Sequence, residues 1–428
     1  MVNPGDESAR SSGWKGAVRG NVLMMGLVSL FTDFSSEMIY PLLPVFFSGL
    51  VPAGAVALYV GVMEGLAETT ASLLKIFSGR LSDALGKRKA LAVLGYGVSS
   101  AVRPLMAVCF AGWHVVTLRF LDRVGKGIRT SPRDALISDS VPKEHRGLAF
   151  SFHRAMDHTG AILGPIAAIA ILYGFLGYGL WKGTTERATP EEMRALRWLF
   201  AFALLPGIAA MVSLVGRVRE VAPTPAAAKH AGPRGAWRHL PGRFYAFVGV
   251  VTLFALGNSS DLFLVFYGRT KFGFGLLPLI GVWVALHLSK MVFSVPGGVL
   301  SDRLGRRPVI VAGWAIYALV YLGMAFVAEA WQYWALIAVY GVYYGLTEGA
   351  EKALVADFVA SEHRGTAYGL YHGAIGLAAF PASLVFGVFW QVLGPARAFG
   401  IGAGLAGLAV VGMMLLFSGT RRHDKAVA

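Results

Sequence analysis

The chain has 428 residues, of which 55% are hydrophobic and only 15% charged. That balance excludes a soluble domain of this length and fits a protein immersed in lipid. The formal net charge of +15 would suit a nucleic-acid binder, but the basic residues gather in turns between long apolar runs, where a one-sided excess of Lys and Arg around membrane spans accounts for them better.

Taken in order, the chain opens with a polar tail, 1–18, that lacks a small-residue cleavage site. The first apolar run is too long for a signal peptide and is expected to be retained. Hydropathy then predicts spans over Asn21–Leu43, Ala55–Leu81, Ala90–Phe110, Trp113–Ile137, Leu148–Tyr173 and Arg197–Val215. A polar loop with Lys182, Glu186, Arg187, Glu191 and Glu192 separates the fifth from the sixth. Between Gly216 and Gly242 the chain turns to Pro, Ala, Arg, Lys and His, the composition of a solvated linker. Six more spans follow: Phe244–Phe266, Leu276–Leu300, Val309–Ala328, Tyr333–Leu354, Ala367–Val388 and Ala398–Phe417. The expected organisation is a six-helix bundle over 19–216, a linker over 217–242, a second bundle over 243–418 and a short tail, 419–428. The single Cys109 allows no internal disulfide and no thiol-based metal site.

The halves repeat each other. Gly79-Arg80-Leu81-Ser82-Asp83-Ala84-Leu85-Gly86-Lys87-Arg88-Lys89 returns as Gly298-Val299-Leu300-Ser301-Asp302-Arg303-Leu304-Gly305-Arg306-Arg307-Pro308, an offset of 219 residues. Glu144-His145-Arg146-Gly147 returns as Glu362-His363-Arg364-Gly365 at an offset of 218. Polar turns repeated at one distance, with apolar segments between them, indicate two homologous halves. Lys87, Arg88 and Lys89, then Arg217 with the basic run to Arg243, then Arg303, Arg306 and Arg307, then Arg421, Arg422 and Lys425 fall on one side of the membrane. That side is expected to be cytoplasmic, with both termini on it.

The doubled Gly-x-Leu-Ser-Asp-x-Leu-Gly-Lys/Arg-Arg turn, between spans 2 and 3 and again between 8 and 9, resembles the signature loop of the major facilitator superfamily. The resemblance covers the chain apart from its tails. It implies an all-α membrane protein with twelve transmembrane helices in two pseudo-symmetric six-helix bundles and a central site reached alternately from either face. In the turn itself, Gly79 and Gly298 permit close helix approach, Gly86 and Gly305 permit a left-handed backbone, and Arg88 and Arg306 stay at the surface. Asp83 and Asp302 are placed to accept hydrogen bonds from a helix N-terminus in the opposite half. The resemblance implies that such contacts latch a gate with partners at the inner ends of helices 4 and 10, for which Asp139 and Asp357 are the candidates.

Charges inside the spans mark the candidate site, since an ionisable group at bilayer depth costs about 2.5 kcal/mol or more and faces a cavity or a partner. Asp33 and Glu37 stand four apart in span 1, and Asp261 occupies the matching stretch of span 7. Because the resemblance implies that helices 1 and 7 line the cavity, these are candidate cavity residues, with internal ion pairing the equal alternative. Glu64, Glu68 and Lys75 share a face of span 2, answered in span 8 by His287 and Lys290. Span 4 is the most charged. Arg119, Arg123 and Lys126 recur at helical spacing as a positive stripe that suits an anionic substrate, or that pairs with Asp122, Asp134 and the carboxylates of spans 1 and 2. Arg119 resembles the arginine of the family's Arg-x-x-x-Gly-x-Gly pattern, linked there to proton coupling, although Arg123 stands at the first glycine. In span 5, His153, Arg154, Asp157 and His158 precede Gly160-Ala161-Ile162-Leu163-Gly164-Pro165, similar to the antiporter motif of helix 5, with Ala and Ile where further glycines are usual. Glu348 and Lys352, four apart in span 10, are expected to pair with each other.

These features point to a proton-coupled secondary transporter of the inner membrane, a monomer without cofactor, that exports a small charged or amphipathic solute. An organic-anion carrier is the nearest alternative. A divalent-metal exporter would draw on His153, His158, Asp33 and Glu37, but no dedicated ligand spacing exists. No readable nucleophile–base set supports an enzyme, and a non-transporting receptor would be expected to carry a soluble partner domain. Nucleic acid is not an expected partner; the coupling ion, the solute and the bilayer are.

Overall fold

A computed structural model describes residues 18–52, 55–177, 188–221, 240–274 and 276–418. Twelve helical segments run through them: α1 (Asn21–Leu50), α2 (Val56–Leu85), α3 (Arg88–Leu105), α4 (Gly112–Asp139), α5 (Arg146–Leu176), α6 (Pro190–Arg217), α7 (Gly242–Phe272), α8 (Leu276–Leu304), α9 (Arg306–Phe326), α10 (Ala330–Phe358), α11 (Arg364–Leu393) and α12 (Pro395–Ser418). Among the described residues nine helices are long and apolar enough to cross a membrane. The other three, α2, α4 and α10, have 28 to 30 residues and hold much of the intramembrane charge. Most helices run further than the apolar spans predicted, because their polar ends continue the helix into the turns. The tails, most of the linker and Lys182, Glu186 and Arg187 lie outside the described residues.

The packing repeats in each half. In the first, α1 packs on α5 and α6, α4 on α2 and α3, and α6 on α3. The second half makes the corresponding set: α7 on α11 and α12, α10 on α8 and α9, and α12 on α9. Between the halves, α2 lies along α11 and α5 along α8, with α10 also reaching α5 and α4 reaching α11. Large apolar side chains such as Phe77, Leu205, Val212, Phe326 and Leu415 stay exposed around the outside, where lipid tails would cover them.

Two helices are broken at places the sequence explains. α1 stops at Glu37 and passes through a 3-10 turn at Tyr40–Leu42, since Pro41 lacks the N–H that would continue the ladder. α7 is interrupted between Gly257 and Leu262, where Asn258, Ser259 and Ser260 offer competing local hydrogen bonds. The orphan carbonyl of Gly257 is taken by the Tyr317 hydroxyl at 2.9 Å. At the signature turns, Gly86 closes α2 with φ 61° and ψ 17° in the left-handed region. Gly305 sits at φ 94° but ψ 154°, a different conformation from the left-handed turn expected and one equally reserved for glycine.

Candidate functional site

The two signature turns build matching clusters that bind the halves together at one end. The Asp83 carboxylate accepts from the first backbone amides of α11, Gly365 N at 2.9 Å and Thr366 N at 2.6 Å, and from the Thr366 hydroxyl at 2.8 Å. Asp302 accepts from the first amides of α5, Gly147 N at 3.0 Å and Leu148 N at 2.8 Å. Each carboxylate thus meets the exposed donors and positive dipole end of a helix from the opposite half. Close approach makes this possible. A Cβ on Gly79 would collide with the carbonyl oxygen of Gly365, and one on Gly298 would lie 2.7 Å from that of Gly147.

Arginines complete both clusters. Arg88 pairs with Asp139 and lies 3.7 Å from Asp83, while Arg364 of α11 reaches across to Asp139. In the second cluster Arg306 pairs with Asp302 and lies 3.6 Å from Asp357, and Arg146 of α5 reaches across to Asp357 at 2.8 Å. Asp139 and Asp357 therefore meet the turns through guanidinium groups, and Arg88 and Arg306, expected at the surface, are instead buried because the carboxylates they pair with draw them in between the halves. Arg146 and Arg364 were not among the predicted gating residues; their signal was the repeated Glu-His-Arg-Gly turn.

Deeper in the membrane, a second layer of charge crosses between the halves. Asp134 of α4 is fully buried and contacts Arg133 at 2.8 Å, Lys352 of α10 at 3.2 Å and His372 of α11 at 2.7 Å. Asp134 and Lys352 are 218 residues apart, so equivalent positions of the two halves carry opposite charges and meet at the interface. Glu348 approaches Arg154 at 3.6 Å and His158 at 3.4 Å, both on α5. The expected pairing of Glu348 with Lys352 is thus replaced by bonds across the bundles, because the two side chains are drawn to separate partners on α5 and α4. His158 Nδ1 and His287 Nδ1 lie 3.2 Å apart, one imidazole donating to the other, between α5 and α8. Asp157 is held by Arg154 at 2.6 Å and by the Ser29 hydroxyl of α1, with His153 at 3.9 Å.

In the first half, the two arginines of the α4 stripe are paired. Asp122 lies 3.1 Å from Arg103 and 3.4 Å from Arg119, and Arg123 lies 3.3 Å from Glu68. Arg119 also stacks over Tyr40 at 4.4 Å. The side chain of Glu64 lies outside the described residues. Asp33 and Glu37 differ from all of these. Their carboxylates make no ion pair or hydrogen bond among the described residues, and Glu37 Oε2 is buried without a partner. They lie where α1 fits against α5: a Cβ on Gly160 would come 3.1 Å from Asp33 Cβ, and one on Gly164 would come 2.7 Å from Glu37 Cβ. The two glycines of the span 5 motif thus make room for these acidic positions. Lys75 and Lys126 are likewise outside any ion pair among the described residues. In the second half Asp261, at the break in α7, accepts from Lys290 at 2.6 Å and from the Tyr340 hydroxyl at 2.8 Å. No three His, Cys, Asp or Glu side chains among the described residues converge to hold a metal.

The sequence matches the model of the Major Facilitator Superfamily over residues 25–289 and 280–428, and so along nearly its whole length. The chain is a member of that superfamily. It is 33% identical to an uncharacterized MFS-type transporter of Methanocaldococcus jannaschii, over 93% of this chain and 94% of the relative. It is 23% identical to the class C tetracycline resistance protein of Escherichia coli, over 81% of this chain and 84% of that one. Its fold matches the crystal structure of the human organic anion transporter MFSD10 with a TM-score of 0.75, at 15% identity, over 92% of this chain and 98% of the other. As a major facilitator protein the molecule is a multi-pass membrane transporter of small molecules, and not an enzyme.

Proposed function

We propose that this transporter exports a small charged or amphipathic solute in exchange for protons, by rocking of the two bundles about a central site. The observation that carries the reading is the isolation of Asp33 and Glu37. Among the described residues every other carboxylate of the membrane core has an ion-pair or hydrogen-bond partner, whereas these two keep their acceptor capacity open. A carboxylate without a fixed partner can bind a proton or a cationic solute in turn, and the two occupants exclude each other. Exchange follows from that exclusion. The tetracycline resistance protein among the relatives supports the export direction. The positive-inside rule assigns the basic signature-turn end to the cytoplasm of an inner membrane, with both termini on that side. The arrangement closed at that end is then outward-facing, latched by Asp83, Arg88, Asp139, Asp302, Arg306 and Asp357 together with Arg146 and Arg364.

An organic-anion carrier is the second reading, favoured by Lys75 and Lys126 standing outside any ion pair among the described residues. Proteoliposomes with an imposed pH gradient separate the two. Export predicts gradient-driven accumulation of cationic or zwitterionic solutes that is lost in Asp33→Asn and Glu37→Gln. Gradient-driven flux that survives both substitutions would remove these residues from the site. Flux confined to anions and lost in Lys126→Met would favour the second reading.

A further inference from the structure

The break in α7 presents Asp261 to two other helices. Lys290 Nζ of α8 binds one carboxylate oxygen at 2.6 Å, and the Tyr340 hydroxyl of α10 donates to the other at 2.8 Å. The same ammonium lies 3.6 Å from the centroid of the Tyr344 ring and 5.9 Å from that of Tyr340. A carboxylate combined with aromatic faces is the arrangement that binds free organic ammonium ions, because the negative ring face and the anion both attract the cation. Here the protein fills the position with its own side chain.

Three further features separate this arrangement from a plain internal ion pair. The Asp261 side chain is 18% exposed while that of Lys290 is 3% exposed, so the carboxylate is partly open and the lysine reaches it from within the protein. The backbone at Lys290 is fixed by α10, since a Cβ on Gly341 would come 2.7 Å from Lys290 N. Only the flexible four-carbon stem can move. In the same helix break, the Asn258 amide donates to the Tyr343 hydroxyl at 2.9 Å, and its oxygen is buried without a donor. That oxygen is a spare acceptor for a ligand N–H. An anion would meet the repelling ring faces and would have to displace the carboxylate instead.

We propose that Asp261, Tyr340 and Tyr344 form a binding site for organic ammonium ions, alkyl or aryl amines, in which Lys290 is the resident occupant that a ligand displaces. The site rests on the export reading for the direction of movement, and it assigns the solute as a cationic amphiphile. Swapping one ammonium for another leaves Asp261 paired throughout; the displaced Lys290 ammonium, buried in the resting pair, has to be carried to a new acceptor or to solvent by its flexible stem, a cost the ligand must outweigh.

The test is thermal unfolding of the purified full chain with n-butylammonium as probe, and butyrate and butanol as controls. In Lys290→Ala the probe is expected to raise the melting temperature saturably, with at least tenfold tighter apparent binding than in wild type, where the tethered lysine competes at high effective concentration. The gain should vanish in Lys290→Ala/Asp261→Asn and weaken at least tenfold when Tyr344→Leu is added. An equal gain in the Asp261→Asn double variant, an equal effect of butyrate, or no gain in folded Lys290→Ala would overturn the assignment. Should Lys290→Ala not fold, Lys290→Gln keeps a donor to Asp261 without the ammonium and carries the same test. The measurement uses no ion gradient. Failure here removes the ammonium site and leaves proton-driven flux through Asp33 and Glu37 to stand, while absence of that flux would remove the export reading and leave the binding result intact.

Discussion

Asp83→Asn should open the signature-turn end of the molecule. The carboxylate accepts three bonds from the start of α11, at 2.6 to 2.9 Å, and a bond to a charged acceptor contributes about 1.5–3 kcal/mol. Asparagine keeps one acceptor oxygen but turns an N–H toward the Thr366 amide, so one backbone bond is lost and the others become neutral. Together these changes come to about 3 kcal/mol, which shifts the closed-to-open ratio roughly a hundredfold toward open. The assay is the spin-label distance between Lys87→Cys and Ala360→Cys, two exposed positions on opposite halves at that end, after replacing the buried Cys109 with Ser. Asp83→Asn is expected to move the distance distribution to longer values and to impair transport without loss of membrane insertion. An unchanged distribution together with wild-type transport would refute the latch.

Asp302→Asn should act in the same direction but more weakly, because its helix partner offers Leu148 where the other latch has Thr366 and its hydroxyl; a larger opening than in Asp83→Asn, by the same spin-label distances, would contradict that account. Asp134→Leu should lower the melting temperature, at a cost of about 3 kcal/mol or more, since it strands Arg133 and Lys352 in the interior. Adding Lys352→Met should restore part of the loss, and strictly additive effects in that double-mutant cycle would argue against direct coupling.

The aspartates and the close-approach glycines of the signature turns were readable in the sequence, whereas the burial of Arg88 and Arg306 was not. A glycine that permits close approach and an aspartate that seeks a helix N-terminus are local chemistry, and a repeat at fixed offset states which turn answers which. The site within the membrane was less readable. Arg119, Arg123 and Asp122 stood out as charged positions in span 4, but helical spacing does not tell a substrate-facing stripe from a set of ion pairs. Arg103, on α3, is the partner that settles Asp122. Glu348 and Lys352 show the opposite trap, a spacing that suits a pair within one helix while each side chain finds its partner on another.

Sequence alone determined the membrane class, the twelve spans, the two homologous halves and the end of the molecule that carries the basic turns. These follow from hydropathy and repetition, which are properties of the chain taken in order. The tertiary structure alone decided which charges are spoken for: that Asp134 meets Lys352 across 218 residues of sequence, that Arg146 and Arg364 complete the signature-turn clusters from the opposite half, and that Asp33 and Glu37 have no ion-pair or hydrogen-bond partner among the described residues. The reason is physical. A buried charge is compensated by whatever lies within about 4 Å of it, and helices distant in the chain bring that neighbour into place.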